Sequence, residues 1–370
     1  MITWLLEDID TPAVLIDYDL LQNNIQKMAS FAKKYNLRLR PHIKTHKIKE
    51  IAELQMNAGA VGITTAKLGE AEVMAELGFR DILIAYPIVG TTKLKRLHRL
   101  MKMANITTVI DGIEQAEGLN EYAKENHIEF PVLIEVDTGL RRCGVKPGTE
   151  VVELYRKTLS MPYIRVIGIM THAGHAYGAS THEQVIEIAK QEGMEMVSTA
   201  NLLQQSGYSV EEISVGSTPT VEISGTIHGV TEIRPGNYVF NDMTQVRLGV
   251  AASEDCSLRV VARIVGHPAP ERFIIDAGAK TLALDQGAHG TQGVKGYGTV
   301  VGHPELTISR LSEEHGIVDI SGISSLRVGD KIEIIPNHSC PVVNLTDEVV
   351  VIQKGKIRER WRVAARGRTR

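Results

Sequence analysis

Cysteine is scarce: three residues in 370, Cys143, Cys256 and Cys340. An odd, sparse set excludes a disulfide framework and points to a reducing compartment. Nor does any apolar run approach the roughly 18–20 residues of a membrane span. The opening stretch, MITWLLEDIDTP, is too short and too acidic for a secretory signal, so a cytoplasmic location is expected. Neither sign of charge prevails, since 41 Lys and Arg face 44 Asp and Glu for a net charge of −3. That leaves no basic footprint for nucleic acid and no acidic tail. Only the last stretch, KIRERWRVAARGRTR, is basic, and it reads as a solvated terminal strand with a frayed tail. Repeats of solenoid length and low-complexity linkers are missing too.

What is there is a chain with 43% apolar residues, enough for a large core. AVLIDYDLLQNNIQKMASFAKKY reads as a short strand feeding an amphipathic helix. Eight β-type runs follow, at 37–43, 60–66, 81–87, 105–111, 131–137, 164–172, 212–217 and 232–240, with helical patterns between most of them. This rhythm predicts a TIM-type (β/α)8 barrel in preference to an open doubly wound sheet, although periodicity does not itself count closure. After residue 245 the runs become short and β-branched, divided by Gly, Pro and Asp, which predicts a smaller, mainly β domain. The expected division is a barrel over 9–245 and a β domain over 246–370, joined by residues 1–8.

Barrel enzymes keep their catalytic groups at the C-terminal ends of the strands. Those positions hold RPHIKTHK after the first strand, EVDTGLRRCG after the fifth and GIMTHAGHAY after the sixth. SVGSTPT follows the seventh strand and EIRPGNYVFND the eighth. In SVGSTPT, Gly216 permits close backbone approach, and Ser217 and Thr218 offer hydroxyls beside backbone amides, as a phosphate cradle requires. Barrel phosphate sites favour this loop and the next, yet a Gly-Ser-Thr-Pro turn is also a common plain loop. In LRLRPHIKTHK, strand alternation puts His42 and Lys44 on one face toward the barrel mouth, with Lys47 already on the next helix. The residues alone suit a solvated strand end as well as a reactive lysine.

Taken together, RPHIKTHK, DTGLRRCG, THAGHAYG, GSTPT, EIRPGNYVFND, DAGAKTLALDQG and PNHSCPVVNL resemble the D-threonine aldolase and D-serine dehydratase family of alanine-racemase-like, fold type III enzymes. The resemblance implies pyridoxal phosphate as cofactor, a D-amino acid as substrate and a homodimer. It makes Lys44 the Schiff-base lysine, whose amine must be neutral to attack, a state favoured at a dry strand end near other cations. By the same resemblance Arg142 faces the cofactor's phenolic oxygen, with Arg141 as competitor, and His172 lies against the pyridine ring. Tyr177 reaches cofactor or substrate, and Gly236 and Asn237 complete the phosphate end. Arg234 would sit at the ring nitrogen. A guanidinium only donates hydrogen bonds, so that nitrogen would stay unprotonated and the ring would be a weaker electron sink.

PNHSCP (336–341) follows KIEII. If the strand continues, His338 and Cys340 project from one face and can share a metal; alone, such a pair is equally a buried thiol beside a histidine. The resemblance associates His-x-Asp here with aldolases and His-x-Cys with dehydratases. Imidazole with thiolate selects zinc over manganese or magnesium, and two protein ligands leave positions open for substrate. The expected function is a metal- and pyridoxal-phosphate-dependent lyase that dehydrates a D-β-hydroxy amino acid, as D-serine dehydratase does, to a 2-oxo acid and ammonia. The alternatives are a D-threonine aldolase, a 3-hydroxyaspartate dehydratase, an amino-acid racemase, a non-catalytic cofactor carrier and a metal hydrolase without the cofactor. RLSEEHG (310–316) reads either as a loop facing the site or as a solvated hairpin. Asp276 and Lys280 receive no role, and Cys143 and Cys256 read as inert core thiols.

Overall fold

The computed structural model describes residues 8–288 and 293–370. Eight parallel strands form one sheet: β2 (Arg38–Leu39), β3 (Ile63–Thr65), β4 (Asp81–Pro87), β5 (Asn105–Ile110), β6 (Phe130–Val136), β7 (Ile164–Thr171), β8 (Glu212–Val215) and β9 (Glu232–Ile233). Their order is β2-β9-β8-β7-β6-β5-β4-β3. The two ends meet where His42 bridges Thr64, with the Thr64 amide donating to the Pro41 carbonyl at 2.8 Å. The ring is therefore a TIM-type barrel. Strands covered on both faces should be almost continuously apolar, and FPVLIEV of β6 is buried at all but one position.

Helix α1 (Tyr18–Lys34) precedes the ring, and a helix follows each strand up to β8. These are α2 (Lys49–Asn57), α3 (Leu68–Glu76), α4 (Thr91–Met101), α5 (Ile113–Asn126), α6 (Thr149–Thr158), α7 (His182–Gln205) and the single turn α8 (Val221–Ser224). Helix α1 starts where the Asp17 carboxylate accepts from the Leu20 amide at 3.0 Å, and Lys33 and Lys34 close its last turn against the helix dipole.

After α9 (Met243–Arg247), the second sheet contains β10 (Leu258–Ala269), β11 (Arg272–Ile275), which the single turn α10 (Ala279–Leu282) follows, β12 (Thr299–Val300), β13 (Leu306–Leu311), β14 (Gly316–Ile320), β15 (Lys331–Ile335), β16 (Glu348–Gln353) and β17 (Lys356–Arg362). Its ninth strand comes from the start of the chain. β1 (Ala13–Asp17) lies antiparallel to β10 and parallel to β16. The sequence puts this AVLID segment in the barrel; apolar character identifies a strand but not the sheet it joins. Of the eight leading residues expected in the β domain, 1–7 lie outside the described residues.

Two further segments settle differently from, or more narrowly than, their sequence expectation. The basic end is docked: beyond β17 the Ala365 amide donates to the Lys47 carbonyl at 3.3 Å, and the Gly69 amide donates to the Arg370 carbonyl at 2.9 Å. A Cβ at Gly69 would stand 2.5 Å from that carbonyl oxygen, so only glycine admits the strap. RLSEEHG is the turn of the β13–β14 hairpin, where Glu313 and Glu314 pair with Lys280 at 3.4 and 2.6 Å on the surface. Asp276 ties the sheet together by accepting from the Thr11 hydroxyl and the Arg263 amide. Among the described residues no helix is long and apolar enough to cross a membrane.

Candidate active site

A cavity of about 880 Å3 opens at the C-terminal ends of the barrel strands, under the β domain. Every residue that the sequence nominates for the site lines it.

Lys44 does not lie on an extended strand. Pro41 has no amide to offer a ladder, β2 stops at Leu39, and Ile43–Thr45 form one turn of 3-10 helix. His42 caps this turn, its Nδ1 accepting from the Lys44 amide at 3.4 Å. Both side chains still reach the cavity, through a turn rather than through alternation. Burial lowers the Lys44 pKa, and Arg142 and Arg234 add to the effect against the opposing charges of Cys340 and Glu70. The amine is thus biased toward its nucleophilic form. Lys47 precedes α2 in a left-handed conformation (φ 54°), and its buried ammonium pairs with Glu70 at 3.0 Å. This neighbour is a structural cation locked in an ion pair.

His46, fully buried behind the turn, accepts from the Ile48 amide at 3.1 Å, and burial lowers its pKa to about 3. Below the ordinary value of 6.5 the unfolded chain binds a proton that the folded chain refuses. The contribution is therefore complete above pH 6.5 and is lost as pH falls toward 3, at a cost of about 2 kcal/mol by pH 5. Urea midpoints measured at pH 7.5 and 5 should differ less in a His46→Asn variant than in the parent; equal differences would contradict this.

The phosphate-like end is built by two loops. Gly216 (φ 100°) turns the chain after β8, where its amide donates to the buried Glu192 at 2.8 Å and the Ser217 amide donates to Thr220 Oγ1 at 3.1 Å. Those two amides are engaged within the loop. The donors left to the cavity are others: neither the Thr218 nor the Gly236 amide has a hydrogen-bond partner among the described residues. The Tyr238 amide donates to Thr218 Oγ1 at 3.1 Å and joins the two loops. A Cβ on Gly236 would stand 2.9 Å from the His42 carbonyl, so the loop after β9 presses directly on the Lys44 turn.

Arg234, 5% exposed, donates to the Ser214 hydroxyl and the Thr171 carbonyl. Burial lowers its pKa, while the carboxylates of Glu232, Glu192 and Glu135 oppose the shift. His172 follows β7 with Gly174 packed on its ring, where a Cβ would lie 2.9 Å from Nε2. Tyr177 is buried, and burial pushes its hydroxyl pKa up. Both arginines of the doublet are exposed, but Arg142 lines the cavity 3.8 Å from Glu135, whereas the Arg141 amide donates to Asp137. Cys143 is not a core thiol; it is half-buried on the cavity wall. Cys256 is buried, and burial pushes its pKa up to about 12.

His338 and Cys340 meet by a route the sequence did not foretell. β15 ends at Ile335, His338 is the N-cap of α11 (Ser339–Leu345), and Cys340 sits in that helix's first turn. The Cys340 thiol lies 3.4 Å from Thr45 Oγ1, which brings the β domain onto the Lys44 turn. Asn237 donates to Asp242 at 2.7 Å and to Ser339 at 2.9 Å, and so ties α11 to the phosphate-like end. His338 Nδ1 is 2.7 Å from Asp285 Oδ2. Burial opposes charge on this imidazole, but Cys340 and Asp285 hold its pKa up to about 10. Among the described residues no third His, Cys, Asp or Glu completes a metal cluster with the pair.

Asp285 is the residue that sequence reasoning missed. Its segment, DAGAKTLALDQG, stands out, but the partner lies 53 positions away. By fixing Nδ1 it turns Nε2 toward a potential metal. Asp285→Asn should weaken zinc affinity about 10–100-fold, as competition with a chromogenic chelator would measure.

Residues 16–244 match the family described as alanine racemase, N-terminal domain, and residues 257–352 match a putative serine dehydratase domain. The D-threonine aldolase of Arthrobacter sp. is 31% identical over 366 residues, covering 98% of this chain and 94% of the relative. The D-threo-3-hydroxyaspartate dehydratase of Delftia sp. HT23 is 34% identical over 348 residues, covering 90% and 91%. The D-serine dehydratase of Dictyostelium discoideum is 31% identical, covering 94% of each chain. Solved structures of D-threo-3-hydroxyaspartate dehydratase include a His-to-Ala variant and, two positions further on, a Cys-to-Ala variant in the metal-free form. The latter superposes with a TM-score of 0.90 at 31% identity, covering 96% of this chain and 98% of that one.

Proposed function

The chain belongs to the alanine-racemase-like family of pyridoxal-phosphate enzymes that includes D-threonine aldolases and D-serine dehydratases, and is a lyase for D-hydroxy amino acids; on that premise we propose that it is a D-serine dehydratase-like enzyme, removing water from a D-β-hydroxy amino acid. The observation that carries this reading is the His338–Cys340 pair standing against the Lys44 turn.

The residues present suit the cofactor. The Thr218 and Gly236 amides with the Ser217 and Thr218 hydroxyls offer donors to a phosphate. Arg142, His172 and Arg234 line the remainder, with Tyr177 beside them. Pyridoxal phosphate held at Lys44 would draw electrons from Cα and weaken its C–H bond. Lys44, its pKa lowered, accepts the Cα proton at Nζ. Arg234, fixed by Ser214 and Thr171, only donates hydrogen bonds, so a ring nitrogen held against it would stay unprotonated.

The donor chemistry of His338 and Cys340 suits zinc, which would polarise the C–O bond of the β-hydroxyl. Asp285 orients the imidazole for that task. Cα loses its proton, Cβ loses hydroxide, and hydrolysis of the resulting enamine yields the 2-oxo acid and ammonia. A metal-free Cys-to-Ala form of D-threo-3-hydroxyaspartate dehydratase, at the same spacing from a histidine, supports the assignment of the pair.

Incubation of the zinc- and cofactor-loaded protein with D-threonine distinguishes the two cleavages. 2-Oxobutanoate with ammonia is the expected outcome; glycine with acetaldehyde would make the chain an aldolase instead.

A further inference from the structure

Most cations of the cavity have a partner or a role. Lys47 is paired with Glu70 at 3.0 Å, Arg142 with Glu135 at 3.8 Å and His338 with Asp285 at 2.7 Å. Arg234 is enclosed by the Ser214 hydroxyl and the Thr171 carbonyl, with Glu232 nearby. Lys44 has its role in the reading above. Lys67 remains. It lines the cavity, makes no ion pair among the described residues, and holds its ammonium 3.5 Å from the centroid of the Tyr86 ring.

An aromatic face orients an ammonium without neutralising it. The Tyr86 ring therefore acts as a seat that fixes the position of the charge, while the N–H donors pointing away from the ring stay available. Such a donor in a partly enclosed cavity attracts a carboxylate more strongly than it would in open water.

Its place in the ring fits a substrate group rather than the cofactor phosphate. Lys67 follows β3 and Tyr86 belongs to β4, on one side of the Lys44 turn. The Thr218 and Gly236 loops follow β8 and β9, on the other side. A molecule bonded next to Lys44 with its phosphate on the β8–β9 side presents its remaining substituents toward β3 and β4.

We propose that Lys67, seated on Tyr86, is the anchor for a substrate carboxylate and thereby a determinant of which hydroxy amino acids enter. This rests on the lyase reading above. The carboxylate has two possible sources, the α-carboxylate shared by all amino acids or a second one on Cβ, as in 3-hydroxyaspartate.

The test compares the parent with Lys67→Met and the charge-conserving Lys67→Arg. Calorimetric titration of the holoprotein with malonate reads carboxylate binding without turnover. Lys67→Met should weaken malonate about 10–100-fold, the scale of a lost charge-assisted hydrogen bond, and Lys67→Arg should recover most of the affinity. Unchanged malonate affinity in Lys67→Met overturns the proposal. The KM values for D-threonine and D-threo-3-hydroxyaspartate then assign the source. A similar rise for both identifies the α-carboxylate, and a rise confined to 3-hydroxyaspartate identifies the side-chain carboxylate. If the parent turns over neither compound, the lyase reading fails while the malonate titration still decides the role of Lys67.

Discussion

Replacing Lys44 with alanine is expected to abolish the visible absorption band of the bound cofactor and to lower kcat by about 10^4-fold. The fold should survive. The turn that carries Lys44 is held by main-chain bonds that alanine keeps, among them the His42 amide to Pro235 at 3.0 Å and the Lys47 amide to Ile43 at 2.8 Å. Among the described residues Lys44 has no carboxylate partner whose charge would be stranded, in contrast to Lys47, which neutralises Glu70. Two effects combine in the predicted loss: the covalent attachment point goes, and so does the group that accepts the Cα proton. Far-ultraviolet circular dichroism and the absorption spectrum together separate this outcome from misfolding. A variant that keeps both the band and the activity would refute the assignment of Lys44.

The second large effect concerns the pair on α11. Removing the metal with a chelator, or replacing Cys340 with alanine, should lower kcat for dehydration by about 10^2–10^3-fold, the scale of several kcal/mol of Lewis-acid assistance. The visible band should persist in both cases, because the hydrogen bond from the pair to the Lys44 turn goes to Thr45, and the charge of Cys340 opposes rather than supports the lowering of the Lys44 pKa. Added zinc should restore the chelated parent and leave Cys340→Ala unrescued. Loss of the band along with activity would mean that Cys340 supports the cofactor site structurally, and the metal role would fall.

The barrel was legible because parallel strands buried on both faces appear as near-continuous apolar runs, and their polar ends fall where a barrel keeps its chemistry. All the nominated loops do converge on one cavity. What stayed hidden depended on contacts between distant residues. AVLID announces a strand, but its partners lie in β10 and β16, more than two hundred residues on. The His338–Asp285 contact spans 53 positions, and the strap that reaches Gly69 comes from Arg370. Local geometry misled once at each end of the site. Alternation was applied to Lys44 where Pro41 forces a turn, and to His338 and Cys340 where a helix begins. Both pairs still face the cavity, since residues two apart can also converge in the first turn of a helix. The ammonium of Lys67 over Tyr86 has no signature in either segment, because one side chain follows β3 and the other belongs to the adjacent strand β4.

The placement of β1 has a consequence for how the enzyme is made. The strand emerges early from the ribosome, yet neither neighbour exists until residues 258–269 and 348–353 have been synthesised. At typical elongation rates of about 5–20 residues per second, Ala13–Asp17 stays wholly unpaired for roughly 13–50 s, until β10 is made, and keeps an unpaired, apolar edge for roughly 20–70 s, until β16 is made. The barrel strands can assemble in that interval, but Cys340 and Thr369, which close the cavity, arrive later still. The nascent barrel thus waits open beside an exposed strand, which makes this interval the point at which holdase chaperones would have most to protect.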